Sequence, residues 1–171
     1  MYQEFSKRTA LELRAVRSGN WLSRNMEITD DLYSYGKLSY SGLFKHDIVV
    51  ETSGQKWRFI ASGAWRKDLE IVDENDTTVA FLSTSWWGMK STLTFPDGKT
   101  MQFSRPSAWK NRFVWTDPAR GEVMELDGKA FTRDVVITFK DDLKNNPWLL
   151  LLAFLGLHRI MVARRQAAAS T

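Results

Sequence analysis

The chain is 171 residues long and 43% apolar, with eight Trp and ten Phe, a content that suits one domain with a sizeable core and excludes global disorder. It has no Cys, which excludes a disulfide framework, a thiolate nucleophile and a Cys-ligated zinc site. The net charge of +4 sits at one end: residues 157–171 hold three Arg and no acid, so the first 156 residues keep 21 of the 24 Lys and Arg against 20 Asp and Glu. A body so near neutral argues against a nucleic-acid partner, whose binder usually spreads a basic excess over one face.

The amino terminus mixes Glu4, Lys7 and Arg8 among its apolar residues, so no secretory signal is expected and a cytoplasmic location is the simplest expectation. Leu11, Leu13 and Ala15 alternate with polar residues. Segment 9–17 therefore reads as a strand, although it could also open a short helix. From residue 37 onward, short alternating runs are separated by turn signals. The runs are 37–41, 48–52, 57–61, 69–73, 78–83, 92–104, 112–116, 123–127 and 134–139; Ser53-Gly54, Glu74-Asn75, Asp117-Pro118, Arg120-Gly121 and Asp127-Gly128 supply turns. The clearest hairpin is 92–104, where Leu93 and Phe95 answer Met101 and Phe103 across Pro96-Asp97-Gly98-Lys99.

The chain then changes character. Asn146 and Pro147 are a helix start, Asp141 and Asp142 precede its positive end, and residues 148–157 are an unbroken apolar run. Sixteen residues, 148–163, reach about 24 Å, while a bilayer core of about 30 Å wants about twenty. His158 and Arg159 also interrupt the run, so a helix buried in protein is favoured over a membrane anchor. Gly156 fits a place where another backbone comes close. Ten to twelve strands rarely stay flat in one sheet; they close to remove their edges, and the apolar helix is the segment able to fill the interior. The expected fold is mostly β, a closed antiparallel barrel of about ten to twelve strands around a hydrophobic carboxyl-terminal helix. It forms a single domain over 1–165, with the helix at about 147–163 and a frayed tail at 166–171.

No catalytic constellation is legible. His46 reads as an exposed edge residue, and His158 as a hydrogen-bonded residue near the barrel mouth. Asp73-Glu74-Asn75-Asp76 is crowded with acid but lacks the spacing of a calcium loop and sits where a hairpin turns. The pairs Asp30-Asp31 and Asp141-Asp142 read as turn and helix-start residues. There is no Gly-rich phosphate loop and no nucleophile elbow, so no enzyme, cofactor or metal is expected.

The Trp-basic adjacencies carry more interest. Trp57 lies between Lys56 and Arg58, Trp65 precedes Arg66 and Lys67, and Trp109 precedes Lys110 and Arg112; an aromatic beside a cation suits phosphate groups at a membrane surface. Ordinary alternation, Trp57 and Phe59 inward and Lys56 and Arg58 outward, explains part of this pattern. Trp86 and Trp87 cannot both point inward on a strand, so one is expected at an interaction surface or over a barrel end.

The hairpin series 37–139, the strands around Trp57 and Trp65, and the helix 147–163 resemble the tubby C-terminal-like superfamily, which includes the phospholipid scramblases and the plant LURP-one-related proteins. The resemblance spans nearly the whole chain and rests on architecture and strand rhythm rather than on a motif. It implies a twelve-stranded barrel around a hydrophobic helix, and phosphoinositide binding or membrane association. It carries no binding position over to this chain, which also lacks the Pro-rich and Cys-rich amino-terminal segment of scramblase-like proteins.

The expected function is a non-enzymatic binding module that recognises an acidic lipid headgroup or another anionic partner at a membrane surface. Arg66, Lys67, Lys110, Arg112, Trp86 and Trp87 are its candidate ligand-binding residues, and the protein is expected to be cytoplasmic and peripheral to the membrane. The alternative is a lipocalin-like carrier of an apolar small ligand, which requires an empty interior.

Overall fold

The computed structural model describes residues 1–19, 24–41, 47–63, 67–85, 90–129, 133–140 and 146–170. After a single 3-10 turn at Phe5–Lys7 come strands β1 (Glu12–Ser18), β2 (Asn25–Thr29), β3 (Ser34–Ser41), β4 (Asp47–Thr52), β5 (Lys56–Ser62) and β6 (Asp68–Val72). These are followed by β7 (Thr78–Thr84), β8 (Lys90–Thr94), β9 (Thr100–Ser104), β10 (Arg112–Asp117), β11 (Gly121–Gly128), β12 (Val135–Phe139) and helix α1 (Leu149–Ala169).

Each strand pairs antiparallel with its neighbours in sequence, and β1 pairs with β12 as well as β2, so the twelve strands form a closed barrel. Closure rests on the segment that could also have opened a helix: Leu13 and Ala15 are fully buried and lie opposite Ile137 and Val135. Alternation fixes which residues face inward. In β5, Trp57 and Phe59 are buried while Lys56 and Arg58 are exposed. In the β8–β9 hairpin Leu93 lies opposite Met101, as the pattern predicts, but Phe103 lies opposite Ser91 rather than Phe95. Phe95 instead closes the turn, donating its N–H to the Lys99 carbonyl, and packs on Trp148 with ring centroids 4.8 Å apart.

The interior is filled by α1. All residues from Leu149 to Ile160 are buried, so this stretch has no solvent face, the pattern of a helix enclosed by protein. It touches opposite walls. On one side the Phe154 ring lies against Gly36 of β3, and His158 lies near Phe59 of β5. On the other, Trp115 of β10 donates its indole N–H to the Leu152 carbonyl at 2.8 Å, and Leu126 of β11 packs at Gly156.

Three details of the helix differ from the sequence reading. At Gly156 the close neighbours are the side chains of Leu126 and Trp115 rather than a backbone; a Cβ there would lie 2.9 Å from Leu126 Cδ2. Gly36 is where backbone approaches, since a Cβ there would lie 2.7 Å from the Glu51 carbonyl oxygen. The helix also runs on to Ala169 through the stretch read as a frayed tail, because Gln166 and the three Ala that follow are strong helix formers. The helix starts at Leu149 with Trp148 at its N-cap position, rather than at Pro147 behind an Asn146 cap; the Asn146 side-chain oxygen accepts the Trp148 N–H at 2.9 Å in the turn just before it. Asp141 and Asp142 lie outside the described residues. No described helix is long and apolar enough to cross a membrane.

Antiparallel order sorts the connections between two mouths. At the near mouth, where α1 starts, lie the turns after β2, β4, β6, β8 and β10 and the amino terminus. There the Gln3 N–H bonds the Ser34 carbonyl, and Phe5 packs on Tyr35 and Phe139. The acidic 73–76 segment is a near-mouth turn: Asp73 accepts the N–H groups of Asn75 and Thr77, and Asp76 pairs with Arg58. At the far mouth α1 leaves the barrel.

Candidate functional site

The far mouth is built by continuing the inward alternation one step past the apolar core. In β1 the inward positions are 13, 15 and then Arg17. In β2 they are Ile28, Met26 and, just before the strand, Arg24. In β12 they are Ile137, Val135 and, again before the strand, Arg133. At the last inward level the sequence thus replaces an apolar residue with Arg on each of these elements. The helix adds Arg164 and Arg165 one turn beyond the buried Ile160. These five arginines line a cavity of about 260 Å³ together with Met26, Met161 and Ala168, and no Asp or Glu is among the described residues that line it.

The two helix arginines are held by backbone carbonyls of the lining itself. Arg164 donates to the Arg133 carbonyl at 3.0 Å, and its guanidinium reaches the space beside Gly128. Arg165 donates to the Met161 carbonyl at 3.4 Å and lies over the Tyr40 ring at 5.7 Å. Partial burial, then the charge of Arg133, lowers the Arg164 pKa. The helix carboxyl end contributes only about half a negative charge, so guanidinium groups dominate the field. Each guanidinium offers five N–H donors in a fixed fork that matches carboxylate or phosphate oxygens two at a time.

Behind this cavity lies His158, buried, with Nδ1 at 2.9 Å from the Tyr40 hydroxyl. Burial foremost, then the cations Arg159 and Arg165, hold its pKa down to about 3. The imidazole is therefore neutral at physiological pH and shares a hydrogen bond with the Tyr40 hydroxyl through Nδ1, a structural pairing and not a poised base.

Of the six candidates chosen from sequence, the three that are described do not all gather into one patch. Arg66, Trp86 and Trp87 lie outside the described residues, as do His46 and Trp65. Arg112 is bridged to Glu122 and to Glu125, both at 2.8 Å, which already supply it with carboxylates. Lys110 is exposed in the β9–β10 loop and Lys67 is exposed just before β6. Four strand spacings separate β6 from β10, about 19 Å along the wall at ~4.8 Å per strand, well beyond a Debye length of about 8 Å. Lys67 and Arg112 thus do not act as one site. In the Trp57 strand, Lys56 pairs with Glu51 and Arg58 with Asp76, while Trp57 is core.

The sequence did hold a signal for the arginine mouth: three Arg and no acid in residues 157–171, on a helix that had to end at one opening of the barrel. Adjacency of Trp and cation pointed elsewhere. Arg17, Arg24 and Arg133 are invisible as a group until the strands are closed into a ring. No family model, curated protein or solved structure matches the chain.

Proposed function

We propose that the protein is a non-enzymatic binding module that captures an acidic lipid headgroup, or another anionic partner, at a membrane surface. The observation that carries this reading is the far mouth: five arginines around a cavity of about 260 Å³ with no carboxylate among the described lining residues. A phosphate-bearing headgroup is small enough to enter it and anionic enough to relieve the mutual repulsion of its walls. The architectural resemblance to the tubby C-terminal-like superfamily, with its phosphoinositide-binding and membrane-associated members, supports the same reading and a cytoplasmic, peripheral location. The carrier alternative needs an interior that Leu149–Ile160 fill.

Vesicle sedimentation tests the proposal. Phosphatidylcholine vesicles containing a phosphoinositide should bind the protein, phosphatidylcholine alone should not, and binding should weaken as salt rises. The double variant Arg164→Ser, Arg165→Ser should lose binding. Arg112→Ser should keep it, because Arg112 stands outside the cavity and is already paired with Glu122 and Glu125. Equal binding to both vesicle types, or loss only with Arg112→Ser, refutes the site.

A further inference from the structure

The most exposed aromatic side chain among the described residues is Trp109, at 97% of its full accessibility. It sits on the β9–β10 loop, one of the connections at the far mouth. The loop is braced: Arg105 stacks on Phe113 at 5.6 Å and reaches across to donate to the Lys110 carbonyl at 2.9 Å and to the Asn111 side chain at 3.3 Å. These bonds clamp the two ends of the loop and leave Trp109 at its projecting tip. The root of the loop also meets the cavity rim. The Gly128 N–H donates to the Asn111 carbonyl at 2.9 Å, and Arg164 Nη2 lies 2.7 Å from where a Gly128 Cβ would stand.

A solvated, projecting Trp beside a cation has a specific use. The indole is amphipathic, with an apolar body and a polar N–H, and side chains of this kind settle at the headgroup level of a bilayer. Lys110, next in sequence and exposed, would meet the anionic surface. Resting on the anion-binding reading above, we infer that the far mouth is the membrane-facing surface, with Trp109 inserting into the bilayer interface while the arginine cavity holds the headgroup. The occupant is thus a lipid in a bilayer, since a free anion would gain nothing from Trp109. The near mouth bears its own exposed apolar residues, Leu32 at 84% and Tyr33 at 53%, and supplies the comparison.

The test uses the full chain and two probes: phosphatidylcholine vesicles containing phosphatidylinositol bisphosphate, and the soluble headgroup inositol trisphosphate. Trp109→Ala should weaken vesicle binding roughly tenfold while leaving inositol trisphosphate binding unchanged, and Leu32→Ser with Tyr33→Ser should alter neither. Because Trp109 is solvated, the variant should fold like the parent, which far-ultraviolet circular dichroism verifies. If vesicle binding survives Trp109→Ala but falls with Arg164→Ser and Arg165→Ser, the inserted-Trp inference is overturned and the anion site stands. Loss with the Leu32 and Tyr33 changes instead would put the other mouth against the membrane and overturn it too. Binding of the soluble headgroup with no gain on vesicles would exclude a bilayer partner and leave a protein or a free anion as the alternative. Absence of binding to either probe would refute the anion site itself.

Discussion

Gly156 gives the sharpest test of the central helix, because replacing it with Ala sets two effects of similar size against each other. In an isolated helix, Ala is favoured over Gly by about 1 kcal/mol. In the barrel the new methyl would stand 2.9 and 3.2 Å from the two methyl carbons of Leu126 and 3.1 Å from the Trp115 indole nitrogen. Both neighbours are enclosed by the core. Leu126 and Trp115 are both 0% exposed, and the indole is bonded to the Leu152 carbonyl. Overpacking of this kind costs about 1–3 kcal/mol, so Gly156→Ala should be net destabilising by roughly 1 kcal/mol. In a domain of this size that lowers Tm by about 2–4 °C. Gly156→Val should lose more, since it adds volume and is a poorer helix former.

Urea unfolding followed by circular dichroism gives these values, and a double-mutant cycle identifies their source. Leu126→Ala alone should cost about 2–5 kcal/mol through the cavity it leaves. In the Gly156→Ala background the cost should be smaller by about 1 kcal/mol or more, because the new methyl fills part of that cavity. A stabilising Gly156→Ala that is additive with Leu126→Ala would mean that this helix face does not lie against β11.

Other perturbations follow the same logic. Gly36→Ala should be worse than Gly156→Ala, toward about 3 kcal/mol, because its Cβ would meet the Glu51 carbonyl oxygen at 2.7 Å and backbone in a paired strand yields less than a side chain; the comparison is read from urea midpoints. Tyr40→Phe removes the hydrogen-bond partner of buried His158 Nδ1, and a buried polar group left unpaired should cost about 1–3 kcal/mol in the same assay. His158 also sets an acid limb. Its folded pKa of about 3 lies below its ordinary 6.5, so the unfolded chain takes up the proton first. Its contribution is complete above about pH 6.5 and falls by up to about 1.4 kcal/mol per pH unit as pH drops toward 3. His158→Asn keeps a hydrogen-bonding group for Tyr40 without the titration and should flatten the limb between about pH 6.5 and about 4.5, where most carboxylates remain ionised. An unchanged slope would assign the acid sensitivity to other groups.

The barrel and its contents were legible before the chain was folded. Period-two alternation and turn signals such as Pro96-Asp97-Gly98 specify hairpins, the number of hairpins demands closure, and an apolar helix shorter than a bilayer leaves the barrel interior as the place to hide it. Even the inward residues of β5, Trp57 and Phe59, follow from alternation alone. The start of the chain was less legible, because Leu11, Leu13 and Ala15 fit either a strand or a helix, and only pairing of β1 with both β2 and β12 decides between them. The site belongs to the tertiary structure. Arg17, Arg24, Arg133, Arg164 and Arg165 come from four separate places in the chain, and each taken alone reads as a solvated charge. Local pattern reports which way a residue faces along its own strand, whereas the ring order and the path of the helix decide which inward cations share one opening. Long-range closure therefore turned five scattered arginines into the lining of one cavity, and set Lys67 and Arg112 on strands far apart around the ring.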